Sequence, residues 1–153
     1  MRTPYLRSQT GFSLIEAMVS LVVVSVGMIG IAALYGQGLS AGRTALYRTQ
    51  AVNLAADMAD RIRANRQGGA AYGGPAANNN CDPAGGANCT PAQMAANDLF
   101  AWGNQVAQQL PNGAGTVAYA GAAVPPTYTI TINWQETGVG PVNYQLVIGL
   151  PTL

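Results

Sequence analysis

The sequence predicts an α+β fold in which a long N-terminal helix, membrane-spanning in its first half, precedes a small head with an antiparallel β-sheet. Two patterns predict this fold. No charged residue occurs between Ala17 and Gly42, and apolar and polar residues alternate from Thr127 to Trp134. The first pattern is typical of a helix that crosses a bilayer, and the second is typical of a strand with one wet face.

The composition excludes several classes of function. The 153-residue chain has no His, two Cys, 8% charged residues and a formal net charge of +1. Without His there is no Ser/His/Asp or Cys/His catalytic site, and two Cys cannot complete a structural zinc site. A charge so close to neutral creates little attraction for nucleic acid. We therefore expect no enzymatic activity, cofactor or metal.

The apolar stretch is long enough to anchor the chain in a membrane. Residues 12–35 are predicted to form the membrane helix, since a bilayer requires about 20 residues at about 1.5 Å each. Residues 1–11 form a leader that contains Arg2 and Arg7 and no acid, which places the leader in the cytoplasm. A cleaved secretory signal is the alternative, but its apolar region is about 7 to 15 residues long.

Glu16 is the single acidic residue among these apolar residues. A carboxylate at the middle of a bilayer costs about 2.5 to 3.5 kcal/mol on insertion scales, so we expect it to have a function. The alternative is a charge at the membrane surface that only contacts water. At the start of a helix, Glu16 also lies favourably near the positive end of the helix dipole.

The hexapeptide GFSLIE at residues 11–16 follows a basic leader and precedes an apolar helix. It resembles the processing and N-methylation motif of type IV prepilins. Residues 55–66 and 90–95, with Asp98 and Trp102, are similar to the corresponding segments of PilV-type minor pilins, the type IV pilus modification proteins. The resemblance thus extends over most of the chain.

This resemblance implies a maturation step and a set of partners. A prepilin peptidase would cleave between Gly11 and Phe12 and methylate the new amino group of Phe12. The mature chain would then join other major and minor pilins at an inner-membrane assembly platform, with Glu16 paired to the amino terminus of a neighbouring subunit. We expect a single-pass protein of the bacterial inner membrane with a periplasmic head, which later enters a surface pilus that serves twitching motility or cell adhesion.

Two related functions stay open at this point. A type II secretion pseudopilin uses the same leader and helix in a short periplasmic piston. An adhesive or DNA-binding tip subunit would contact its target through residues 67–88 or through the five arginines between positions 43 and 66. Nucleic acid is the less favoured target, because Asp57 and Asp60 lie among those arginines.

Residues 36–66 are predicted to continue the helix with a narrower apolar face. Asp57 and Arg61 are spaced for an i,i+4 ion pair, and Asp60 and Arg63 for an i,i+3 pair, on a face that we expect to be solvated. Residues 67–89, rich in Gly, Ala, Asn and Pro, are predicted to form a loop.

Cys81 and Cys89 are predicted to form a structural disulfide in this loop. An exported head meets an oxidising compartment, where disulfides persist. The spacing of the two Cys is wrong for a redox-active CxxC motif.

Residues 90–153 are predicted to form a second helix and the sheet, which build the head together with residues 44–66. Thr90, Pro91 and Gln93 predict a capped helix start, and this helix should end near Leu110. The strands should lie near residues 117–120, 127–134 and 144–148 and pair in an antiparallel manner. Core packing is the expected role of the two tryptophans, Trp102 and Trp134.

Overall fold

The computed structural model describes residues 11–81 and 88–150, and the predicted leader up to Thr10 lies outside the described residues. The elements of the described part confirm the α+β class. They are α1 (Leu14–Ala64), a 3-10 segment (Arg66–Gly73), α2 (Pro91–Gln109), β1 (Ala114–Ala120), β2 (Thr127–Glu136) and β3 (Gly140–Gly149). The chain divides into two compact units, Met1–Gly42 and Arg43–Leu153.

The described part of the first unit is the apolar half of α1. Its large apolar side chains are exposed, with Leu14, Val22 and Leu34 at 80%, 63% and 68%. The mean hydropathy of its most apolar 18-residue window is 2.5, so the helix is long and apolar enough to cross a membrane. This finding fits the membrane anchoring of the chain.

Gly36 and Gly38 do not interrupt α1. A methyl group added at either glycine would contact nothing in the described chain within 4 Å. No close packing contact in the described chain therefore requires glycine at these two positions.

The second unit has one hydrophobic core, which lies between the end of α1, α2 and the inner face of the sheet. The predicted narrow apolar face of α1 faces this core, with Ala51, Ala55 and Met58 buried. The buried core residues are Ala51, Leu54, Ala55, Met58, Ala59, Ile62, Tyr72, Ala95, Leu99, Trp102, Val106, Leu110, Tyr128, Ile130, Ile132, Trp134 and Ile148.

The sheet has the order β1-β2-β3, and both pairs are antiparallel. Along β2 the even-numbered residues are buried and the odd-numbered ones are exposed or half-exposed, as the alternation predicts. In one row of the register Thr116 pairs with Thr131, which pairs with Gln145. β1 and β3 extend beyond the predicted residues 117–120 and 144–148, because their ends also pair with β2 through the backbone.

The start of α2 has the predicted capping box. The Thr90 hydroxyl accepts a hydrogen bond from the Gln93 backbone N–H at 3.3 Å, and Gln93 Oε1 accepts one from the Thr90 backbone N–H at 2.9 Å. Pro91 occupies the first turn, where no N–H is required. Leu110 caps the other end, at the predicted position.

Trp102 connects three elements of the head. Its indole Nε1 donates a hydrogen bond to the Leu54 carbonyl of α1 at 2.8 Å. A Cβ added at Gly115 on β1 would lie 2.4 Å from two carbons of the Trp102 ring. Gly115 is therefore required where β1 passes the ring.

The expected loop at 67–89 is helical in part, because the 3-10 segment occupies its start. Tyr72, the one large apolar residue of this segment, is fully buried, and Gly73 contacts Tyr119 of β1 so closely that an added Cβ would lie 2.8 Å from the Tyr119 Cβ. Gly69 has a φ of 42°, a conformation that favours glycine. Composition indicates a loop here because a single large apolar side chain in the segment does not reveal which side is buried.

Replacing Gly115 by Ala is expected to lower the free energy of unfolding by about 1 to 3 kcal/mol, because the new methyl group overlaps the Trp102 ring. Replacing Gly103 by Ala is the matched control. A Cβ there contacts nothing, and the change should stabilise α2 by about 0.5 to 1 kcal/mol. Urea unfolding of the full chain in detergent measures both values. Equal stability of the two variants would contradict this packing.

Candidate functional site

The residues before α1 have a non-helical backbone. Gly11, Phe12 and Ser13 precede Leu14, the first residue of the helix, and the Phe12 side chain is 87% exposed. The Ser13 carbonyl accepts hydrogen bonds from the backbone N–H groups of Glu16 at 3.1 Å and Ala17 at 3.2 Å. The peptide bond between Gly11 and Phe12 is thus outside the helical hydrogen-bond pattern, where another protein can reach it.

Glu16 lies in the first turn of α1. Its neighbours on the helix surface include the apolar residues Ile15 and Val19 and one polar residue, Ser20. Among residues 11–81 and 88–150, no side chain donates a hydrogen bond to its carboxylate or forms an ion pair with it. The next basic residue along the chain is Arg43. Glu16 therefore places a negative charge on an apolar helix surface close to the N-terminal motif.

Arg61 joins α1 to α2. Its Nε donates to Asp57 Oδ2 at 3.0 Å, which is the predicted i,i+4 pair. Its other nitrogens lie 3.5 Å from Asp98 Oδ1 and 3.5 Å from Gln105 Oε1, both on α2. The expectation of a solvated face is therefore wrong for Arg61, whose side chain is only 27% exposed. The expectation holds for Asp60 and Arg63, an exposed pair at 2.7 Å.

Tyr72 connects the 3-10 segment to the same group of residues. Its hydroxyl donates to Asp98 Oδ2 at 2.7 Å and lies 3.1 Å from the Arg61 carbonyl oxygen. Burial raises the pKa of Tyr72 above its usual range, and the hydrogen bond to Asp98 raises it further. Three elements far apart in sequence thus meet at one ionic and hydrogen-bonded cluster, formed by Arg61, Asp98 and Tyr72.

Glu136, which the sequence analysis did not identify, is a buried carboxylate in the head. Its side chain is 1% exposed. Glu136 Oε1 accepts a hydrogen bond from Trp134 Nε1 at 3.2 Å and contacts Arg48 Nε of α1 at 3.4 Å. Glu136 Oε2 has no hydrogen-bond partner in the described chain. The alternation along β2 could have identified Glu136 as a buried carboxylate, because it places position 136 on the buried face.

Cys81 and Cys89 form a disulfide with an S–S distance of 2.01 Å. The chain before the disulfide docks on α2. Asn97 Oδ1 accepts a hydrogen bond from the Asn79 backbone N–H at 3.1 Å, and Asn79 Nδ2 donates to the Gln93 carbonyl at 3.0 Å. Cys89 lies directly before the cap residue of α2, so the disulfide holds the loop at the start of this helix.

These contacts hold the head together and do not form a reaction centre. Within residues 11–81 and 88–150, no group of three or more His, Cys, Asp or Glu comes together that could hold a metal ion. Two ion pairs, Arg48 with Glu136 and Arg61 with Asp98, connect different elements of the head. The N-terminal motif with Glu16 is the feature that points to a function outside the chain.

Comparison with protein-family models gives two matches. Residues 6–32 match the prokaryotic N-terminal methylation motif. Residues 33–100 match the family described as Type IV pilin Tt1218. No curated protein and no solved structure matches the chain. The two family matches adjoin, and together they include the hexapeptide 11–16, all of α1 and the first half of α2.

Replacing both Cys81 and Cys89 by Ser is expected to lower the free energy of unfolding by about 2 to 3 kcal/mol on the chain-entropy account of disulfides. Urea unfolding of the full chain in detergent measures the difference. A reducing agent should bring the wild type to the level of the variant and leave the variant unchanged. A wild type that is insensitive to reduction would refute this role.

The free energy of unfolding is expected to fall as pH rises above about 10. The folded chain keeps Tyr72 protonated, whereas the unfolded chain ionises with a pKa of about 10. Tyr72→Phe should reduce this decline by up to about 1.4 kcal/mol per pH unit. Tyr128, whose pKa burial also raises, accounts for a further part.

Tyr144→Phe is the control for this measurement, because Tyr144 lies in the head outside the membrane helix and its side chain is only partly buried. Unfolding curves of the full chain give the slopes between about pH 8 and about pH 11.5, which are about two units below and about one and a half units above the unfolded tyrosine pKa of about 10. An unchanged slope in Tyr72→Phe would contradict the contact with Asp98.

Proposed function

This chain is a type IV prepilin-family protein, and we propose that it is a minor pilin of the PilV type that takes part in assembling or modifying a type IV pilus. Members of this family are structural subunits, not enzymes. The observation that carries the proposal is the position of Glu16 in the first turn of an exposed apolar helix, where its carboxylate pairs with no side chain of residues 11–81 and 88–150. Such a charge can pair with an opposite charge of another subunit where helices from several subunits pack together.

Maturation creates the partner that this charge requires. The N-methylation motif implies processing by a prepilin peptidase and assembly with other pilins. In the proposal the enzyme cleaves between Gly11 and Phe12 and methylates Phe12. The non-helical backbone at these residues supports it, because a protease binds its substrate in an extended form. The mature chain then begins with a positive amino group four residues before Glu16.

The pairing of Glu16 with a neighbour's amino terminus sets the axial position of each subunit. When the apolar residues 18–34 pack against other pilin helices, the carboxylate leaves water and requires a cation. A carboxylate that loses its partner in such a place costs about 3 to 5 kcal/mol. This cost reduces incorporation of an unpaired subunit by more than about a hundredfold, since 1.4 kcal/mol is a factor of ten.

The proposed location follows from the same features. The leader lies in the cytoplasm, the apolar part of α1 crosses the inner membrane once, and the head lies in the periplasm until it enters the pilus. Arg2 and Arg7 before the apolar stretch support this orientation. The disulfide between Cys81 and Cys89 supports it as well, because the periplasm is oxidising.

Two alternatives can be distinguished from this proposal. A type II secretion pseudopilin would have the same leader and helix, and deletion would then abolish protein secretion and leave surface pili and twitching intact. A DNA-binding tip subunit has less support, because Arg48, Arg61 and Arg63 already contact carboxylates of the head.

Glu16→Ala is expected to leave membrane insertion intact and to abolish incorporation into the filament, because the neighbour's amino group loses its partner. Immunoblots of membranes and of sheared pili measure the two quantities. Ser20→Ala is the matched control, since Ser20 lies on the same exposed helix and its hydroxyl only contacts the Ala17 carbonyl. Normal amounts of Glu16→Ala in sheared pili would remove the proposed role of this residue.

A further inference from the structure

The charged residues of the head are unevenly distributed along the chain. The head begins at Arg43, and its first fourteen residues, 43–56, contain two basic residues and no acid. These two residues, Arg43 and Arg48, are both exposed. Residues 57–98, in contrast, contain four acidic and three basic residues. Positive charge is therefore concentrated where the head begins.

The turn between β2 and β3 lies at the same end of the head. Glu136, the last residue of β2, contacts Arg48 Nε at 3.4 Å, and Arg48 precedes Ala51, the first buried residue of α1. The turn follows Glu136, and the Val139 backbone N–H donates to the Glu136 carbonyl at 3.2 Å. The Val139 side chain is 64% exposed. An exposed apolar side chain thus belongs to the end of the head that carries the two arginines.

A bilayer surface is within reach of this end. The charge-free stretch from Ala17 to Gly42 belongs to α1, and it is about 39 Å long at about 1.5 Å per residue. A bilayer is about 30 Å thick in its hydrocarbon core and about 40 to 45 Å thick with its headgroups. When α1 spans the bilayer, Arg43, the first charged residue after this stretch, therefore lies at the level of the headgroups.

Phospholipid headgroups match these side chains in their chemistry. The planar guanidinium group of arginine binds phosphate with two parallel hydrogen bonds, and anionic lipids add a negative surface potential. Among residues 11–81 and 88–150, no carboxylate pairs with Arg43. Basic and apolar side chains that lie together are typical of surfaces that rest in the interface of a membrane. The anchor also keeps the bilayer next to this end of the head, which raises its effective concentration above that of any free partner.

We propose that Arg43, Arg48 and Val139 form a docking surface for the anionic phospholipids of the bilayer that anchors α1. The two guanidinium groups bind lipid phosphates, and the Val139 side chain enters the headgroup boundary. Entry of the subunit into a filament would then have to break these contacts. The proposal rests on the membrane anchoring of α1 and does not depend on the pairing of Glu16.

Contact of the turn with lipid can be measured in the full chain. Val139→Cys provides a thiol for a fluorophore, because the two native cysteines are joined in a disulfide. The labelled chain is placed in lipid nanodiscs of phosphatidylcholine and phosphatidylglycerol, in which some lipids carry a spin label on the headgroup. We expect the spin label to quench the fluorophore at position 139, because docking brings the turn into the headgroup layer.

Val124→Cys is the matched control for the labelling site. Val124 is also an exposed valine, with an exposed fraction of 99%, and it lies before β2, whereas Val139 lies after β2. The ten residues of β2 separate the two sites by about 33 Å. The fluorophore at position 124 should therefore stay unquenched. Equal quenching at the two positions would overturn the proposal.

The charge of Arg43 is tested in the same nanodiscs. Arg43→Gln should lower the ratio of docked to undocked heads about fivefold, since one arginine near an anionic membrane surface contributes roughly this factor. Arg43 is the better site for this test, because Arg48 also contacts the buried Glu136. Arg63→Gln is the matched control, since Arg63 is also exposed on α1 but pairs with Asp60. It should leave the quenching unchanged.

Lipid charge and salt provide a test without any charge substitution. Nanodiscs of phosphatidylcholine alone should give weaker quenching at position 139 than nanodiscs with phosphatidylglycerol. In the mixed nanodiscs, raising NaCl from about 0.1 M to about 1 M shortens the Debye length from about 10 Å to about 3 Å and should release the head. This test remains decisive if melting curves show that a charge variant does not fold.

Two further results would overturn the proposal. One is quenching at position 139 that is equal with and without phosphatidylglycerol, and the other is an equal effect of Arg43→Gln and Arg63→Gln. Glu16→Ala separates this proposal from the assembly role of Glu16. It should leave the quenching at position 139 unchanged, so that a failure of lipid docking and a failure of the proposed pairing in the filament are distinguishable.

Discussion

A carboxylate that leaves water requires a cation or strong hydrogen-bond donors, and this constraint applies to the chain at two places. In the head, Glu136 is buried between Trp134 and Arg48, which both contact its Oε1 atom. On α1, Glu16 has no partner among the described residues. The head thus supplies a hydrogen-bond donor and a cation to one oxygen of its buried carboxylate, whereas the partner proposed for Glu16 is a group on another subunit.

The head is held by contacts between elements that are distant in sequence. Arg61, Asp98 and Tyr72 join α1, α2 and the 3-10 segment, and Trp102 joins α2 to α1 and β1. The disulfide fixes the loop at the start of α2. These contacts give the sheet a fixed support.

The sequence predicts the parts of this structure that depend on local pattern. Alternation along residues 127–134 predicts β2, the hexapeptide 11–16 predicts the N-terminal motif, and Thr90 with Gln93 predicts the capping box. The sequence does not predict the contact of Arg61 with Asp98 or of Arg48 with Glu136, because residues far apart in sequence come together only through tertiary packing. The 3-10 segment is missed for another reason, since a single buried tyrosine among small residues gives no periodic signal.

The proposed pairing of Glu16 requires a mature chain that begins at Phe12, because only such a chain has a positive amino group four residues before Glu16. Mass spectrometry of the N-terminal peptide, from protein purified out of the native membrane, tests this directly. The account predicts a peptide that starts at Phe12 and carries one additional methyl group on its amino nitrogen. A peptide that retains residues 1–11, or that starts at any other position, would contradict the account.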